Sequence, residues 1–356
     1  EISACLVGSE MCIRDSSALT NKLGIDLGSS QVRIFRDDRV VLEESSVAVV
    51  DNINGRVLGF GTDALIRYHK EPENHYLAWP VKNGSIADYN IAKSMLRYFI
   101  NKALHHSVSR PSVMIAVPCE TSSVARHALV DALMHAGARQ VYLIASPAAA
   151  AIGADFNLEN SSTILSMVIG RDVTNVGLYC CGGIVSQVGD AFGGHNIDVG
   201  ICQYLQDKYN VLIGIEQAEK LKSEVISLTR GGNQDTFTIR GRRISDGVEV
   251  VIELSLEELS PVMKKIMKPV LSSVKRAIAE ATPDMAGDLL KNGLLLSGGS
   301  ALLSGLKDWL SFELGIPVLV PDNPADIISE GCLKALDKQK HLSLLIENGE
   351  KYYGGA

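Results

Sequence analysis

The chain has 356 residues, 46% hydrophobic and 21% charged, which is the composition of a globular protein long enough for two domains. Its net charge of −7 argues against nucleic-acid binding driven by bulk charge. No apolar run reaches the ~18 residues of a spanning helix, and the seven scattered cysteines form no CxxC pair or Cys/His cluster, so a zinc site or disulfide framework is not indicated and a reducing cytosol fits best.

Residues 1–21 have neither the basic start nor the apolar core of a signal peptide. Part of this segment, GSEMCIRDS, resembles translated sequencing-adapter read-through. We therefore expect this segment to be a disordered, non-native tail that takes no part in the fold.

The first folded element combines a strand at 23–27, a tight turn at 28–31 and a returning strand at 32–35. Asp26 ends the first strand, where a carboxylate can hold a hydrated cation. Gly28 lets the backbone approach a ligand, and the N–H groups of the next residues can form an anion-binding concavity. An ordinary hairpin turn also favours small polar residues, so the residues alone leave both interpretations open.

The chain then alternates strands and helices. A Val-rich strand at 40–50 precedes a polar insertion at 52–79, and a helix follows with its apolar positions at helical spacing around Met95. A buried strand at 113–117, a capped helix, a strand at 141–144 and a helix of small residues from Ser146 complete the cycle. This order predicts a mixed α/β sheet with both faces covered.

A second cycle begins with a strand at 162–169, a turn at 170–174 and returning strands to residue 188. The repeated order is a weak internal duplication at the scale of domains. Two such domains facing each other would place two phosphate-binding turns across one cleft, which is a usual place for ligands.

The rest of the second cycle predicts helices at 197–210 and 216–227, a hairpin around residue 246, and a long helix broken near Pro269. A buried strand then enters Gly298–Gly299–Ser300, where backbone N–H groups can face an anion or a flat ring. A closing strand at 313–322 and a helix at 325–336 follow, and we expect a loose tail from His341.

Three motifs occur in a telling order: GIDLGSS, ASPAAAAIG and LLLSGGSALLSGL. In this order and at these separations they resemble the actin-like ATPase superfamily, and within it the MreB-like rod-shape proteins of bacteria. The resemblance covers about residues 23–337. It implies an α/β fold of duplicated actin-like (ribonuclease H-like) domains with a nucleotide cleft between them: 22–158 with an insertion at 52–79, 159–340 with an insertion at 197–262, and a tail at 341–356.

The resemblance also implies a site for ATP and Mg²⁺. Asp26 would approach the metal through water. Four short segments would hold the nucleotide. The first phosphate turn would be Gly28, Ser29, Ser30 and Gln31, and the second would be Gly170, Arg171, Asp172 and Val173. The base and ribose would be bordered by Glu219, Lys220, Leu221 and Lys222, and the adenosine side by Gly298, Gly299, Ser300 and Ala301. From the residues alone, the charges at 219–222 are more simply a solvated helix face.

Several positions depart from the family pattern. Its second turn has an Asp, an apolar residue and a run of glycines, whereas here the acid position is Val168 and two glycine positions are Arg171 and Asp172. The position at which the family has a Glu to orient the attacking water is Ala125 here, and the two acids that precede Pro147 in the family are absent. Because such groups each contribute ~10²–10⁴-fold to a rate, we expect very slow or absent ATP hydrolysis and no intact catalytic residue.

By resemblance, the chain is a cytoskeletal subunit that forms filaments with itself, co-assembles with an active MreB-like paralogue and meets wall-synthesis proteins at the membrane. The loop at 104–111 is polar, so we expect attachment through partners and a cytoplasmic location. Two alternatives stay open: an active ATPase or kinase of the same superfamily, with Glu120 as a candidate base, and a scaffold without nucleotide.

Overall fold

The computed structural model describes residues 21–105, 110–224, 228 and 236–353. The expected tail at 1–21 therefore lies outside the described residues apart from Asn21, and so do residues 106–109 of the polar loop.

The first half of the chain contains ten strands and four helices within the described residues. In chain order they are β1 (Lys22–Leu27), β2 (Gln31–Arg36), β3 (Arg39–Ser45), β4 (Ala48–Asp51), β5 (Val57–Phe60), α1 (Gly61–Lys70), β6 (His75–Ala78), β7 (Val81–Lys82), β8 (Ser85–Ile86), α2 (Tyr89–Ala103), β9 (Ser112–Val117), α3 (Ser123–His135), β10 (Gln140–Ala145) and α4 (Ser146–Gly153).

The second half continues the numbering and adds a 3₁₀ turn at Gly299–Leu302. Its elements are β11 (Ile164–Ile169), β12 (Thr174–Cys180), β13 (Gly183–Asp190), α5 (Gly194–Tyr209), β14 (Val211–Leu212), α6 (Ile215–Glu224), β15 (Thr236–Arg243), β16 (Glu249–Ser255), α7 (Leu256–Ile266), α8 (Lys268–Ile278), α9 (Pro283–Asn292), β17 (Leu294–Ser297), α10 (Leu306–Leu314), β18 (Val318–Leu319), α11 (Ile327–Asp337), β19 (Ile346–Asn348) and α12 (Glu350–Tyr353).

The two large sheets have the same topology. The first has the order β3-β2-β1-β9-β10, with β19 added at its end, and the second has the order β13-β12-β11-β17-β18. In each five-strand set the first three strands pair antiparallel and the last two are added in parallel, while the extra strand β19 pairs antiparallel with β10. The internal duplication predicted from the repeated strand order is therefore confirmed.

Two helices made largely of small and apolar residues fill the layer between the sheets. Every residue of α4 is buried, and α4 packs against α11 in a core that both sheets share. A Cβ atom on Gly331 would lie 1.8 Å from the carbonyl oxygen of Ala149, and one on Gly153 would lie 2.1 Å from that of Ile327. Only glycine permits this approach, which places the backbones of the two helices in direct contact.

The Val-rich stretch at 40–50, predicted as one strand, is two. β3 belongs to the first large sheet, whereas β4 forms a small sheet with β5 and β6 that α1 covers. The break has a local cause at Ser46, whose N–H donates to the carbonyl of Ser30 at 2.9 Å and whose hydroxyl donates to that of Gly28 at 2.5 Å. The next N–H, that of Val47, donates to the carbonyl of Ser45 at 2.8 Å, so the chain turns out of the ladder here.

The part of the segment after His341 that the structure describes, up to Tyr353, is ordered, although we expected it to be loose. β19 pairs antiparallel with β10, and Leu342 and Leu345 are buried against the central layer. Apolar side chains that find a surface to cover explain the difference. Two further differences are α9, which was not predicted, and α10, which occupies the start of the expected strand at 313–322.

Candidate functional site

Two equivalent turns face one cleft of about 590 Å³. In the β1–β2 turn the N–H of Gly28 donates to the carbonyl of Gln31 at 3.0 Å, and in the β11–β12 turn the N–H of Gly170 donates to that of Val173 at 2.9 Å. The duplication thus produces two matching backbone concavities whose N–H groups can bind an anion.

Most of the site residues expected from sequence line this cleft together. They are Asp26, Gly28, Ser29, Ser30, Gln31, Val168, Gly170, Arg171, Asp172, Val173, Glu219, Lys222, Gly298, Gly299 and Ser300.

Three expected contact residues and one catalytic position do not line the cleft. Leu221 and Ala301 are buried in the core of the second half, and Lys220 lies on another face of α6. The period of the helix is the reason, since it brings Glu219, Lys222 and Ser223 to the cleft as i, i+3 and i+4. Ala125 lies in the first turn of α3, outside the lining.

Asp26 and Arg33 form the charged end of the first turn. They are opposite each other in the β1–β2 register, and both line the cleft. Desolvation raises the pKa of Asp26 from 3.8 to about 6, against the opposing effect of the Arg33 guanidinium. Arg33 also pairs with Asp326 at 2.9 Å and with Glu43 at 2.7 Å, so other carboxylates share its charge.

The corresponding pair in the second turn is uncharged. Val168 and Asn175 are opposite each other in the β11–β12 register, at the positions that match Asp26 and Arg33. Both are buried, and the Asn175 side-chain oxygen accepts from the backbone N–H of Cys119 at 2.9 Å. Val168 offers no acceptor that could orient the water of a cation.

The side chains of the second turn reach across to the first half. The Arg171 guanidinium lies 5.0 Å from the centre of the Trp79 ring, and the Asp172 carboxylate accepts from the backbone N–H of Asn83 at 3.1 Å. The neighbouring Gly84 N–H reaches the hydroxyl of Ser29 at 3.4 Å. The two contacts made by Arg171 and Asp172 join the two halves beside the turns. We call the residues that form them the clasp: Trp79, Asn83, Arg171 and Asp172.

The start of α5 supplies a second kind of anion site. Gly194 and His195 line the cleft, and the N–H of Gly194 donates to the carbonyl of Gly170 at 2.9 Å. The positive end of a helix macrodipole at this position favours a phosphate. Close by, Lys222 pairs with the buried Asp198 at 2.7 Å, and burial raises the pKa of Asp198 while Lys222 opposes the shift.

Gly298 and Gly299 form the opposite wall. Gly298 has φ +87°, and a Cβ there would lie 2.4 Å from the carbonyl oxygen of Ile169. Gly299 has open space around the position where its Cβ would be. The two glycines thus leave a bare stretch of backbone against which a flat ring can lie.

Further lining residues were not identified from the sequence, and those with polar or charged side chains include Arg33, Asn175, His195, Asp198 and Ser223. Arg33 and Asn175 are each the fifth residue after a turn glycine, so aligning the two repeats would have found them. Ser223 follows Glu219 at the i+4 position on the same helix face.

Comparison with known proteins gives the family. The model of the MreB/Mbl protein family matches residues 20–344, which is most of the chain. The chain belongs to the MreB/Mbl family. The cell shape-determining protein Mbl of Bacillus subtilis is 31% identical over 322 residues, covering 90% of this chain and 97% of the relative. The cell shape-determining protein MreB of Escherichia coli is 33% identical over 325 residues, covering 89% and 94% respectively.

Solved structures agree on the fold. MreB5 of Spiroplasma citri bound to AMPPNP superposes with a TM-score of 0.83 at 24% identity and covers 91% of this chain and 98% of its own. The MamK double helical filament has a TM-score of 0.75 at 16% identity, covering 89% and 99%. The actin-like fold expected of this MreB/Mbl-family chain is thereby confirmed. No helix in the described part of the chain is long and apolar enough to span a membrane.

Proposed function

We propose that the chain is a cytoskeletal filament subunit that binds ATP between its two halves, hydrolyses it slowly or not at all, and helps determine rod cell shape by organising wall synthesis. The pair of matching turns that face a single cleft carries the proposal. The two backbone concavities give a polyphosphate donors on two sides, and the positive end of the α5 macrodipole favours its charge. The Gly298–Gly299 backbone gives the base a flat surface.

The residues of the cleft fit a hydrated Mg²⁺ on one side only. Asp26 can accept hydrogen bonds from metal-bound water, whereas Val168 on the opposite side cannot. The ion, when bound, would neutralise phosphate charge. The chain's own contribution is the Asp26 carboxylate, the backbone N–H groups of both turns and the guanidinium of Arg171.

The side chains around the phosphates support weak hydrolysis. An acid is absent at Ala125 and at Val168, so no carboxylate from either position can orient an attacking water. Cleft closure and filament assembly would then depend on binding alone rather than on turnover.

The relatives support the cellular role. The Bacillus subtilis and Escherichia coli proteins are both named cell shape-determining proteins. The MamK neighbour was solved as a double helical filament. We propose the same use for this chain: self-association into filaments in the cytoplasm, co-assembly with an active MreB paralogue, and attachment to membrane wall-synthesis proteins through partners.

Electron microscopy of the purified chain, combined with fluorescent-ATP titration, tests this function. We expect filaments that depend on ATP, and micromolar binding that tightens with Mg²⁺. Because AMPPNP resists cleavage, it should support assembly as well as ATP does. Monomers in every condition, or rapid release of phosphate, would contradict the proposal.

One observation favours the scaffold alternative. The clasp joins the halves through protein contacts alone, so closure has a source of free energy other than the nucleotide. Filaments of equal length with and without ATP, from protein that binds no fluorescent ATP, would establish the scaffold instead. Glu120, the candidate kinase base, lies outside the cleft lining and accepts from the N–H of Gly189 at 3.4 Å, which gives the kinase no support.

A further inference from the structure

Two adjacent cysteines lie at the tip of the β12–β13 hairpin, away from the cleft lining. Cys180 ends β12 and is half-buried, and Cys181 is exposed. The turn continues through Gly182, with φ +51° at Cys181 and +73° at Gly182. A non-glycine residue with positive φ is uncommon, so the backbone of Cys181 is set by its surroundings.

The backbone of the turn brings the two thiols together. Successive side chains of a strand point to opposite faces, which would separate neighbouring cysteines. The left-handed conformation of Cys181 reverses the chain there, and its sulfur lies 3.6 Å from the sulfur of Cys180. The same proximity contributes to the raised pKa of the Cys180 thiol, whose main cause is burial.

We propose that Cys180 and Cys181 are a redox modification site that closes to a reversible vicinal disulfide on reaction with small-molecule disulfides.

The reaction is thiol–disulfide exchange in two steps. The thiolate of exposed Cys181 attacks one sulfur of the small disulfide, breaks its S–S bond and releases the other half as a thiol. Cys180, after losing its proton to solvent, attacks the Cys181 sulfur and releases the second half. Two protein thiols become one disulfide while the small disulfide becomes two thiols, so two electrons pass to the oxidant.

Geometry makes this bond easy to reduce. Adjacent Cα atoms are about 3.8 Å apart, whereas relaxed disulfides join Cα atoms about 4.4–6.8 Å apart. The resulting strain raises the reduction potential, as is typical of labile and regulatory disulfides. The pair should therefore oxidise only when the small-molecule pool is itself oxidised.

The other described cysteines are poor competitors for the oxidant. Burial raises the pKa of the Cys119 thiol to about 12, and Cys332 is fully enclosed with its pKa raised. Cys202 is half-buried beside the carbonyl of Ile213. Cys5 and Cys12 lie outside the described residues, so an experiment must replace them.

The hairpin tip rests on the segment that connects the two halves between α4 and β11. The N–H of Cys181 donates to Asn160 at 3.0 Å, the N–H of Gly182 donates to Leu158 at 2.7 Å, and the Cys180 thiol donates to Ser161 at 3.3 Å, in each case to the carbonyl oxygen. Closing the disulfide draws the Cys180 sulfur away from Ser161, so the oxidation state changes a contact on this connection.

The test uses the full chain with Cys5→Ser and Cys12→Ser, incubated with oxidised glutathione and mapped by mass spectrometry without reduction. We expect the peptide carrying both cysteines to lose about 2 Da, to carry no glutathione, and to regain its mass with dithiothreitol. In that background Cys180→Ser should instead keep glutathione on Cys181, because no second thiol can release it. Cys202→Ser is the matched control and should behave like its parent.

Several results would overturn the proposal. They are a lasting glutathione adduct on Cys181 in the parent, a disulfide between either cysteine and Cys119, Cys202 or Cys332, and a peptide still reduced after prolonged incubation in a large excess of oxidised glutathione. Circular dichroism of the parent and of Cys180→Ser confirms that both are folded, so a loss of structure cannot imitate any of these outcomes.

Discussion

The turn between β1 and β2 and the turn between β11 and β12 share a backbone but differ in side chains. Each has the same glycine hydrogen bond, and each is flanked by an equivalent register pair. That pair is Asp26 with Arg33 in the first turn and Val168 with Asn175 in the second. Strand pairing and glycine geometry therefore suffice to keep the backbone concavity, while the charged or uncharged pair that flanks it can change independently.

The largest expected effect comes from restoring the acids that the second turn and α3 lack. Ala125→Glu combined with Val168→Asp should raise ATP hydrolysis by about 10⁴-fold, since each acid orients a water and such groups are each worth ~10²-fold or more. Phosphate release measures the gain. Val124→Glu is the matched control, because Val124 is exposed on the same helix, and it should change nothing. A double variant that binds ATP without any gain in rate would show that the two positions are not what limits turnover.

The next largest expected effect is the gain in stability of Asp26→Asn, measured without nucleotide or metal. The folded-state pKa of about 6 exceeds the ordinary 3.8, so the unfolded chain loses its proton first and stability falls as the pH rises between these values. Removing the charge should therefore stabilise the protein by about 3 kcal/mol at pH 7.5, measured by urea unfolding, and progressively less towards pH 4.

The same variant should lose the Mg²⁺ dependence of nucleotide binding. Val168→Asn makes the matched comparison in the second turn and should destabilise, because it buries a new amide without a partner. Equal effects at both positions would refute the asymmetry of the two turns.

A smaller effect should distinguish the two glycines. A Cβ on Gly28 would lie 2.9 Å from the carbonyl oxygen of Gln31, whereas one on Gly170 would lie 3.4 Å from that of Val173. We expect Gly28→Ala to lower the free energy of unfolding by about 1 kcal/mol and Gly170→Ala by less than about 0.5 kcal/mol. Thermal or urea unfolding of both variants measures these losses. A larger loss for Gly170→Ala than for Gly28→Ala would contradict the geometry.

The smallest effect concerns the clasp. A double-mutant cycle of Arg171→Gly and Trp79→Leu should give a coupling of about 0.5–1 kcal/mol, the range of an exposed cation–π contact. Lys93 lies 5.1 Å from the Tyr89 ring within the first half and provides the control. Removing the clasp should also expand the nucleotide-free protein in small-angle X-ray scattering, whereas Lys93→Ala should not. Unchanged scattering would show that the contact between Arg171 and Trp79 does not hold the cleft closed.

Local sequence signals predicted the elements that depend on local rules. The first turn, the helix of small residues from Ser146 and the strand leading to Gly298 all follow from strand patterning and glycine placement. Their order carried the resemblance that the family comparison confirms.

Features set by distant contacts could not be predicted in this way. The strand at 40–50 ends its first part at Ser46, which bonds to a turn earlier in the chain, and its second part joins a different sheet. Residues 342–353 become ordered because β10 offers an edge to β19 and because the central layer covers Leu342 and Leu345. Arg33 lines the cleft because it is opposite Asp26 in the strand register. Leu221 lies in the core instead, because the helical period places it on the other face of α6. Tertiary neighbours decide each of these placements.

The glycine contact between α4 and α11 has a mechanical consequence. Because main chain meets main chain at Gly153 and Gly331, no side chain separates the helices to cushion a sliding movement. We therefore expect the two halves to rotate about this helix crossing as a pivot, so that a small rotation there separates the two sides of the cleft by a larger distance at its open end.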